Sequence, residues 1–129
     1  MSQIKVYGLR THLQGKQKQL SDIIHGCVVE ALSFPENKRA HRFIPLEPED
    51  FYYPEGRTAA YIIIEILMIT GRTVETKKKL IKMLFQAISE QMAVSTNDIE
   101  IVIIESPASH WGFRGKTGDE IELDYKIEV

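Results

Sequence analysis

Apolar residues recur every three or four positions in two stretches of the chain, as they do along one face of an α-helix. The first series is Leu20, Ile23, Ile24, Cys27, Val28, Ala31 and Leu32, and the second is Leu80, Leu84, Ala87, Ile88 and Met92. The first pattern predicts a helix that ends near Ser33, because Pro35 disfavours helical geometry in the residue before it. The second predicts a helix that starts near Thr73, whose hydroxyl group can cap the first turn.

Two other segments, 61–69 and 101–104, are nearly continuous in apolar and mostly β-branched residues. Such runs are typical of strands in a sheet with parallel members. The end of the chain is different, because apolar and polar residues alternate strictly from Ile121 to Val129. This alternation predicts a half-buried C-terminal strand over 119–129, paired either with the chain's own sheet or with the sheet of a partner subunit.

The two halves of the chain resemble each other at an offset of 60 residues. Leu20, Ile24, Val28 and Leu32 fall on Leu80, Leu84, Ile88 and Met92, and Ile4 and Val6 fall on Ile64 and Ile66. The match predicts two β-α-β repeats, about 2–60 and 61–114, in a single domain that spans 1–129. The expected fold is α+β, a two-layer sandwich in which a mixed four-stranded sheet carries two helices on one face. The other face of the sheet then needs a cover, which a neighbouring subunit can supply.

The composition fits one small domain and names no partner. The chain has 129 residues and a formal net charge of −2, which gives no whole-protein attraction to nucleic acid or to an anionic membrane. The longest apolar run is too short for a membrane-spanning helix, and no signal peptide is recognisable. The single Cys27 cannot close an intrachain disulfide. We therefore expect a cytoplasmic protein that binds neither nucleic acid nor a membrane.

The histidines and the cysteine predict no metal chemistry. The four histidines are scattered along the chain, and no second cysteine is present. A structural zinc site needs such ligands in close sequence pairs. We therefore expect no metal site, and no cofactor.

Four features have a structural interpretation beside a functional one. The segment 115–117 looks like the end of a phosphate-binding loop but lacks the required earlier glycine, so a turn is expected. Cys27 is either an inert buried thiol or a nucleophile. The lysines of 77–82 form either a solvated helix face or an anion or nucleic-acid surface. The aromatic loop 45–54 lines a pocket or an interface, or it simply packs.

Arg72 is the charged residue with the strongest functional signal. It follows Gly71 at the carboxyl end of the most apolar predicted strand and precedes a helix, where ligands tend to bind in open sheets. A guanidinium group can hold a carboxylate through two parallel hydrogen bonds. The alternative is a salt-bridging arginine at the helix start. Trp111 and Phe113, just after the last core strand, either pack in the core or an interface, or form the wall of an apolar pocket.

These features together resemble the tautomerase superfamily, which has the fold of 4-oxalocrotonate tautomerase and MIF. Within it they resemble the long members with two fused β-α-β units, including the branch similar to malonate semialdehyde decarboxylase. The resemblance covers about residues 2–114. It rests on the duplication, on the helix exit at 33–39, on the segment 69–73 and on the segment 111–113. It implies a homotrimer with pockets near the amino terminus of the chain.

The resemblance also implies a catalytic apparatus. In the family, an amino-terminal proline, exposed by removal of the initiator Met, acts as acid or base on keto and enol acids, and an arginine holds the substrate carboxylate. Arg72 matches that arginine, but Ser2 stands at the position of the proline and would offer a primary amine. Lys38 and Thr70 stand where the decarboxylase-like relatives have an aspartate and a first arginine, so decarboxylation in their manner is not expected.

The resulting hypothesis is a tautomerase-like isomerase acting on a small 2-keto or enol carboxylic acid. Ser2, through its free amine after removal of Met1, and Arg72 are the candidate catalytic residues. Lys38, Trp111 and Phe113 are the candidate substrate-binding residues. The alternative is a catalytically silent homotrimer of the same fold that binds a small anion or serves as an interaction module.

Overall fold

The chain forms two successive strand-helix-strand units, as the hydrophobic pattern predicts. The computed structural model describes residues 2–122 and 126–129. The strands are β1 (Ser2–Leu9), β2 (His41–Leu46), β3 (Ile62–Ile69), β4 (Ile99–Ser106), β5 (Gly112–Phe113) and β6 (Lys116–Thr117). The helices are α1 (Arg10–Leu13), α2 (Gln17–Leu32) and α3 (Val74–Met92), and short 3₁₀ turns cover Pro48–Asp50, Thr96–Asp98, Ala108–His110 and Gly118–Glu120.

The main sheet has four strands in the order β2-β1-β3-β4. β1 is parallel to β2, β3 is parallel to β4, and the two central strands β1 and β3 are antiparallel. Each parallel pair is joined through a long helix, as a β-α-β unit requires. The predicted mixed sheet of α+β type is therefore confirmed.

The predicted duplication is visible in the bounds of the elements. β3 begins and ends 60 positions after β1, and the two strands have the same alternation of buried and half-buried residues. α2 ends at Leu32 and α3 at Met92, again 60 positions apart. The residue after each helix is left-handed, with φ of 52° at Ser33 and 53° at Ala93. Each half therefore builds the same unit down to the helix exit.

The core lies between the helices and one face of the sheet. Every second residue of the central strands points into it, including Ile4, Val6, Ile64 and Ile66, all at most 1% exposed. The helical residues that meet them are mainly those of the predicted stripes: Leu20, Ile24, Val28, Leu32, Leu80, Leu84 and Ile88. The prediction of two helices on one face is confirmed.

The other face of the sheet is open within one chain. It carries apolar residues, of which Val102 and Ile104 on β4 are 43% and 40% exposed. The polar side chains among them are paired within the chain, since Tyr7 donates to Glu65 at 2.6 Å and Lys5 lies 3.5 Å from the same carboxylate. The first of these contacts raises the pKa of Tyr7. An exposed apolar face whose polar groups are already hydrogen-bonded within the chain is suited to pack against another protein surface.

The C-terminal strand predicted over 119–129 does not pair with the chain's own sheet in the part of it that the structure describes, and its pairing with the sheet of a partner subunit stays a prediction. Residues 118–120 form a 3₁₀ turn, residues 121–122 and 126–129 belong to no strand, and residues 123–125 lie outside the described residues. The alternation of apolar and polar residues did not give a strand there, because main-chain pairing depends on a partner edge and not on the pattern alone. The last residues instead pack against the start of α3.

The segment 115–117 forms part of a hairpin, so the prediction of a turn is confirmed. β5 and β6 pair antiparallel around the two residues Arg114 and Gly115, whose φ angles are 55° and 78°. Two positive φ angles are what the tightest hairpin turns require.

Cys27 is 5% exposed in the core, and burial, with a smaller effect of Glu30, raises the pKa of its thiol. The prediction of a buried inert thiol is therefore supported over a nucleophile.

Candidate functional site

The sheet topology brings the chain segments of all five predicted site residues to one edge of the sheet. Because β1 and β3 are antiparallel, Ser2 at the start of β1 lies opposite Met68 near the end of β3. Arg72 follows β3 at that edge, and the turn that leads to Trp111 and Phe113 follows the parallel strand β4 there. Lys38 precedes β2, whose first residue pairs with β1 near its start.

Arg72 is buried at this edge, with 5% of its surface exposed. Its Nη1 donates a hydrogen bond of 3.1 Å to the carbonyl of Ile69, the last residue of β3. The main-chain N–H of Thr70 donates to the carbonyl of Ser106 at 2.9 Å, which ties this loop to the end of β4. A guanidinium group so enclosed is pre-oriented and weakly screened by water, which strengthens its attraction for an anion.

The start of α3 is capped in the way that the sequence predicts. The hydroxyl oxygen of Thr73 accepts a hydrogen bond from the N–H of Thr76 at 3.2 Å. The main-chain oxygen of Val129 accepts two more hydrogen bonds, from the N–H of Thr73 at 3.0 Å and from the hydroxyl of Thr76 at 2.9 Å. The end of the chain therefore lies beside Arg72, a contact that the sequence did not reveal.

Glycine is the only residue type that fits at position 71, where the end of the chain packs against the loop before α3. Its φ is +151°, and a Cβ atom there would lie 2.6 Å from Cγ2 of Ile127. Both the backbone conformation and the close approach exclude a side chain. The glycine thus lets the chain end pack directly against the loop that carries Arg72.

Trp111 and Phe113 lie half-buried after the turn that follows β4. The indole Nε1 of Trp111 is buried and has no hydrogen-bond partner among the residues that the structure describes. The guanidinium carbon of Arg114 lies 5.4 Å from the centre of the Phe113 ring. Two half-buried aromatic rings, one with a buried N–H group that has no partner among the described residues, therefore lie just after the end of β4.

The loop of Lys38 is fixed to α2 by polar contacts. His25 lies 2.7 Å from the carbonyl oxygen of Glu36, and Arg39 donates to Asp22 at 2.7 Å and to Ser21 at 3.3 Å. The hydroxyl of Ser21 is 2.7 Å from Nδ1 of His41. The buried Ser21 and His25 were missed from the sequence, because they lie within the apolar helix series without disturbing its period.

This polar cluster predicts a loss of stability in mild acid. Burial, with smaller effects of His25 and Arg39, lowers the pKa of His41 to about 4 from its ordinary value of 6.5. The unfolded chain therefore binds more protons between these two values, so the free energy of unfolding falls as the pH falls through this window, by about 1–2 kcal/mol because the imidazole is only partly buried. We expect His41→Gln to lose most of this slope in urea unfolding between pH 7 and pH 4.5, at one chain concentration. The exposed His110, changed to Gln, is the matched control; an unchanged slope in His41→Gln would assign the effect elsewhere.

The aromatic loop 45–54 lies at the opposite edge of the sheet, so it does not take part in the Arg72 site. Phe51 packs on Tyr61 with ring centres 5.7 Å apart, whereas Tyr52 is 87% exposed. The loop borders a cleft of about 270 Å³ lined by Leu9, Pro48, Phe51, Tyr52 and Tyr53. Both interpretations of this loop hold in part, since one aromatic residue packs and another lines a surface cleft.

The larger concave surface between α2 and α3 is also separate from the Arg72 site. It has a volume of about 740 Å³, and Ile23, Cys27 and Met83 are among its lining residues. None of the five predicted site residues borders it.

Within residues 2–122 and 126–129, no group of three or more His, Cys, Asp or Glu is placed to hold a metal ion. No helix in the described part of the chain is long and apolar enough to cross a membrane.

Comparison with known proteins gives a consistent result. Residues 38–114 match the family of tautomerase enzymes. The chain is similar to the probable tautomerase YrdN of Bacillus subtilis (strain 168), with 24% identity over 106 residues, or 78% of this chain and 81% of YrdN. It is also similar to the probable tautomerase RSp0893 of Ralstonia nicotianae (strain ATCC BAA-1114 / GMI1000), with 38% identity over 53 residues, or 41% of this chain and 76% of that protein.

Two solved structures illustrate the likeness of fold. Malonate semialdehyde decarboxylase superposes with a TM-score of 0.80 at 23% identity, over 88% of this chain and 92% of that chain. A fused 4-OT, an asymmetric trimer, superposes with a TM-score of 0.80 at 24% identity, over 92% of this chain and 97% of that chain. At these identities the superpositions establish the architecture and not the reaction.

Proposed function

Because this chain belongs to the tautomerase family, we propose that it interconverts the keto and enol forms of a small 2-keto carboxylic acid. The observation that carries the proposal is the placement of Ser2 and Arg72 at one edge of the sheet, opposite and just beyond the end of β3. A proton-transfer group and a carboxylate-binding group then lie where one small acid can contact both.

The amine of Ser2 supplies the acid and base in this proposal. An α-amino group has a reference pKa of about 7.7–8.0. Burial and a nearby cation both disfavour an ammonium ion, so both lower an amine's pKa toward neutrality. Ser2 is 6% exposed, and Arg72 follows the strand beside it. Such an amine can accept a proton from one carbon of the substrate and return it to another position.

Four residues contribute binding in the proposal. Arg72 holds the carboxylate, and Lys38 adds positive charge from the loop before β2. Trp111 and Phe113 form the apolar wall against the rest of the substrate. The support is their position at the same edge, the burial of Arg72 and the buried indole N–H of Trp111, which has no partner among the described residues.

A homotrimer is the proposed assembly. Its support is the open sheet face with exposed Val102 and Ile104, together with the trimeric state of the fused 4-OT proteins that share the fold. Pairing of Tyr7, Lys5 and Glu65 within the chain lowers the cost of burying that face against a neighbour. A cytoplasmic location stays a prediction from the sequence.

The role of the Ser2 amine can be tested by changing the residue that follows Met1. We expect Ser2→Gln, whose bulky side chain keeps Met1 in place, to lose about 100-fold in kcat, because general acid and base catalysis contributes at least that much. We expect Ser2→Pro, which exposes a secondary amine, to be faster than the natural protein. The measurement is the ultraviolet absorbance change as the enol of phenylpyruvate becomes the ketone.

Intact mass must accompany each rate, since the prediction depends on whether Met1 is present. Equal rates for Ser2→Gln with Met1 retained and for the processed natural chain would exclude the amine. A natural chain with only the background rate that gains activity in Ser2→Pro would mean that the site is competent but lacks its base. Background rates in all three would favour a silent anion-binding trimer.

A further inference from the structure

Glu105 lies in the same row of the sheet as Ser2. The register places Ser2 opposite Met68, and Met68 opposite Glu105, across the two central strands and β4. All three belong to the face of the sheet that carries the helices, since they continue the alternation of the core residues Ile4, Ile66 and Ile103. Glu105 is therefore a carboxylate at the edge where Arg72 and Trp111 also lie.

The two oxygens of Glu105 have different surroundings. Oε1 accepts a hydrogen bond of 2.8 Å from Nζ of Lys77, on the first turns of α3. Oε2 is buried and has no hydrogen-bond partner among the described residues. The side chains of Lys77 and Glu105 are 25% and 22% exposed. The lysine balances the charge of the carboxylate, while its second oxygen accepts no hydrogen bond from the described residues.

A buried acceptor without a partner needs a physical reason. Leaving such a group unsatisfied costs about 1–3 kcal/mol, and more when it is charged. Native structures retain few of them, and each calls for an explanation such as a catalytic role or a bound molecule. Here the indole N–H of Trp111 is a second buried group without a partner in the described part of the chain. An acceptor and a donor near one edge suit a ligand that has both a hydroxyl group and an oxygen acceptor.

Ser2 and Glu105 lie two strands apart. Neighbouring strands are about 4.8 Å apart, so the main chains of these two residues are separated by roughly 10 Å, with the fully buried Met68 between them. On the basis of the proposed function, we infer that Glu105 is a second proton-transfer residue, which binds the enol hydroxyl of the substrate through Oε2.

The proposed step balances without any further reactant. In the direction from enol to ketone, the O–H bond of the enol breaks, its proton passes to Oε2 of Glu105, and the electron pair forms the C=O bond. The electrons of the C=C bond take a proton from the ammonium of Ser2, whose N–H bond breaks. Arg72 holds the carboxylate throughout. Transfer of one proton from the Glu105 acid to the Ser2 amine, through water, restores the starting state.

The test is Glu105→Gln, which keeps the shape of the side chain and an oxygen for Lys77 but cannot take a proton. We expect kcat for phenylpyruvate ketonisation to fall about 100-fold or more, with KM within about threefold. The acid limb of the kcat profile against pH should disappear in Glu105→Gln and persist in Glu105→Asp. Glu75→Gln, the same change at an exposed position on the first turn of α3, is the matched control and should keep the natural rate and profile.

The outcomes separate this inference from the proposed function. A natural chain at the background rate overturns both. An active natural chain with Glu105→Gln within fivefold of its kcat, or with the acid limb unchanged, overturns the role of Glu105 and leaves the proposed function standing. If the thermal midpoint shows that Glu105→Gln does not fold, Glu105→Asp decides: a lower kcat with the acid limb kept supports the inference, and a natural kcat overturns it.

Discussion

Arg72→Gln is expected to lower kcat/KM for phenylpyruvate about 1,000-fold. Arg72 is 5% exposed, and a carboxylate held by a buried guanidinium loses both charge attraction and paired hydrogen bonds when the charge is removed. Breaking such a pair costs about 2–5 kcal/mol, which brackets that factor. The ultraviolet assay gives the rate. The chain's single tryptophan, Trp111, gives an independent measure of binding through its fluorescence during titration with 2-oxobutyrate.

Arg10→Gln is the matched control for this prediction. Arg10 is also a paired arginine, bonded to Glu47 at 2.6 Å, but it is exposed and follows β1 at the opposite edge of the sheet. We expect its rate and its binding curve to equal those of the natural chain. If Arg72→Gln binds 2-oxobutyrate as tightly as the natural chain does, the carboxylate is not held by Arg72, and the guanidinium serves only the end of β3.

The second large effect is expected in assembly. Ile104→Glu should convert the proposed trimer, with three times the 14.8 kDa mass of the chain, into monomers. Ile104 is 40% exposed on the open sheet face, so in a covered face the new carboxylate would be buried without a partner. Burial of an unpaired charge costs several kcal/mol in each subunit, which shifts the equilibrium toward the monomer. Light scattering coupled to size-exclusion chromatography measures the mass directly.

Val74→Glu is the control for assembly. Val74 is 56% exposed, but it lies at the first position of α3, in the helix layer, where a carboxylate is also favourable to the helix dipole. We expect this variant to keep the mass of the natural assembly. A natural chain that is already monomeric, or an Ile104→Glu variant that stays trimeric, contradicts the proposed use of the open face.

The repeating elements could be predicted because their information is local. The spacing of Leu80, Leu84 and Ile88 defines a helix face without reference to any other part of the chain, and Thr73 caps the same helix through a neighbour three residues away. The 60-residue offset then places both units without any knowledge of their contacts. α2 ends at Leu32, within one residue of the predicted exit at Ser33, and α3 ends 60 positions later at Met92.

The packing of the chain end and the role of Glu105 could not be predicted from such local patterns. The alternation from Ile121 to Val129 suits a strand, but the described residues show Ile127 against Gly71 and the oxygen of Val129 at the start of α3. Glu105 looks from the sequence like the polar end of a strand. Its proposed role depends on the strand register with Met68 and Ser2, and on the ion pair with Lys77, 28 positions earlier in the chain.

The sequence by itself determined the two β-α-β units, the apolar faces of their helices, and Arg72 as the charged residue at the end of the buried strand. Periodicity and capping act between residues a few positions apart, so they can be read along the chain. Only the tertiary structure decided that Ser2, Arg72 and Glu105 share one edge, that the aromatic loop lies at the other, and that the end of the chain packs beside the site. The reason is that strand order, direction and register join residues about 30 to 100 positions apart, and a pattern along one strand does not specify its neighbour.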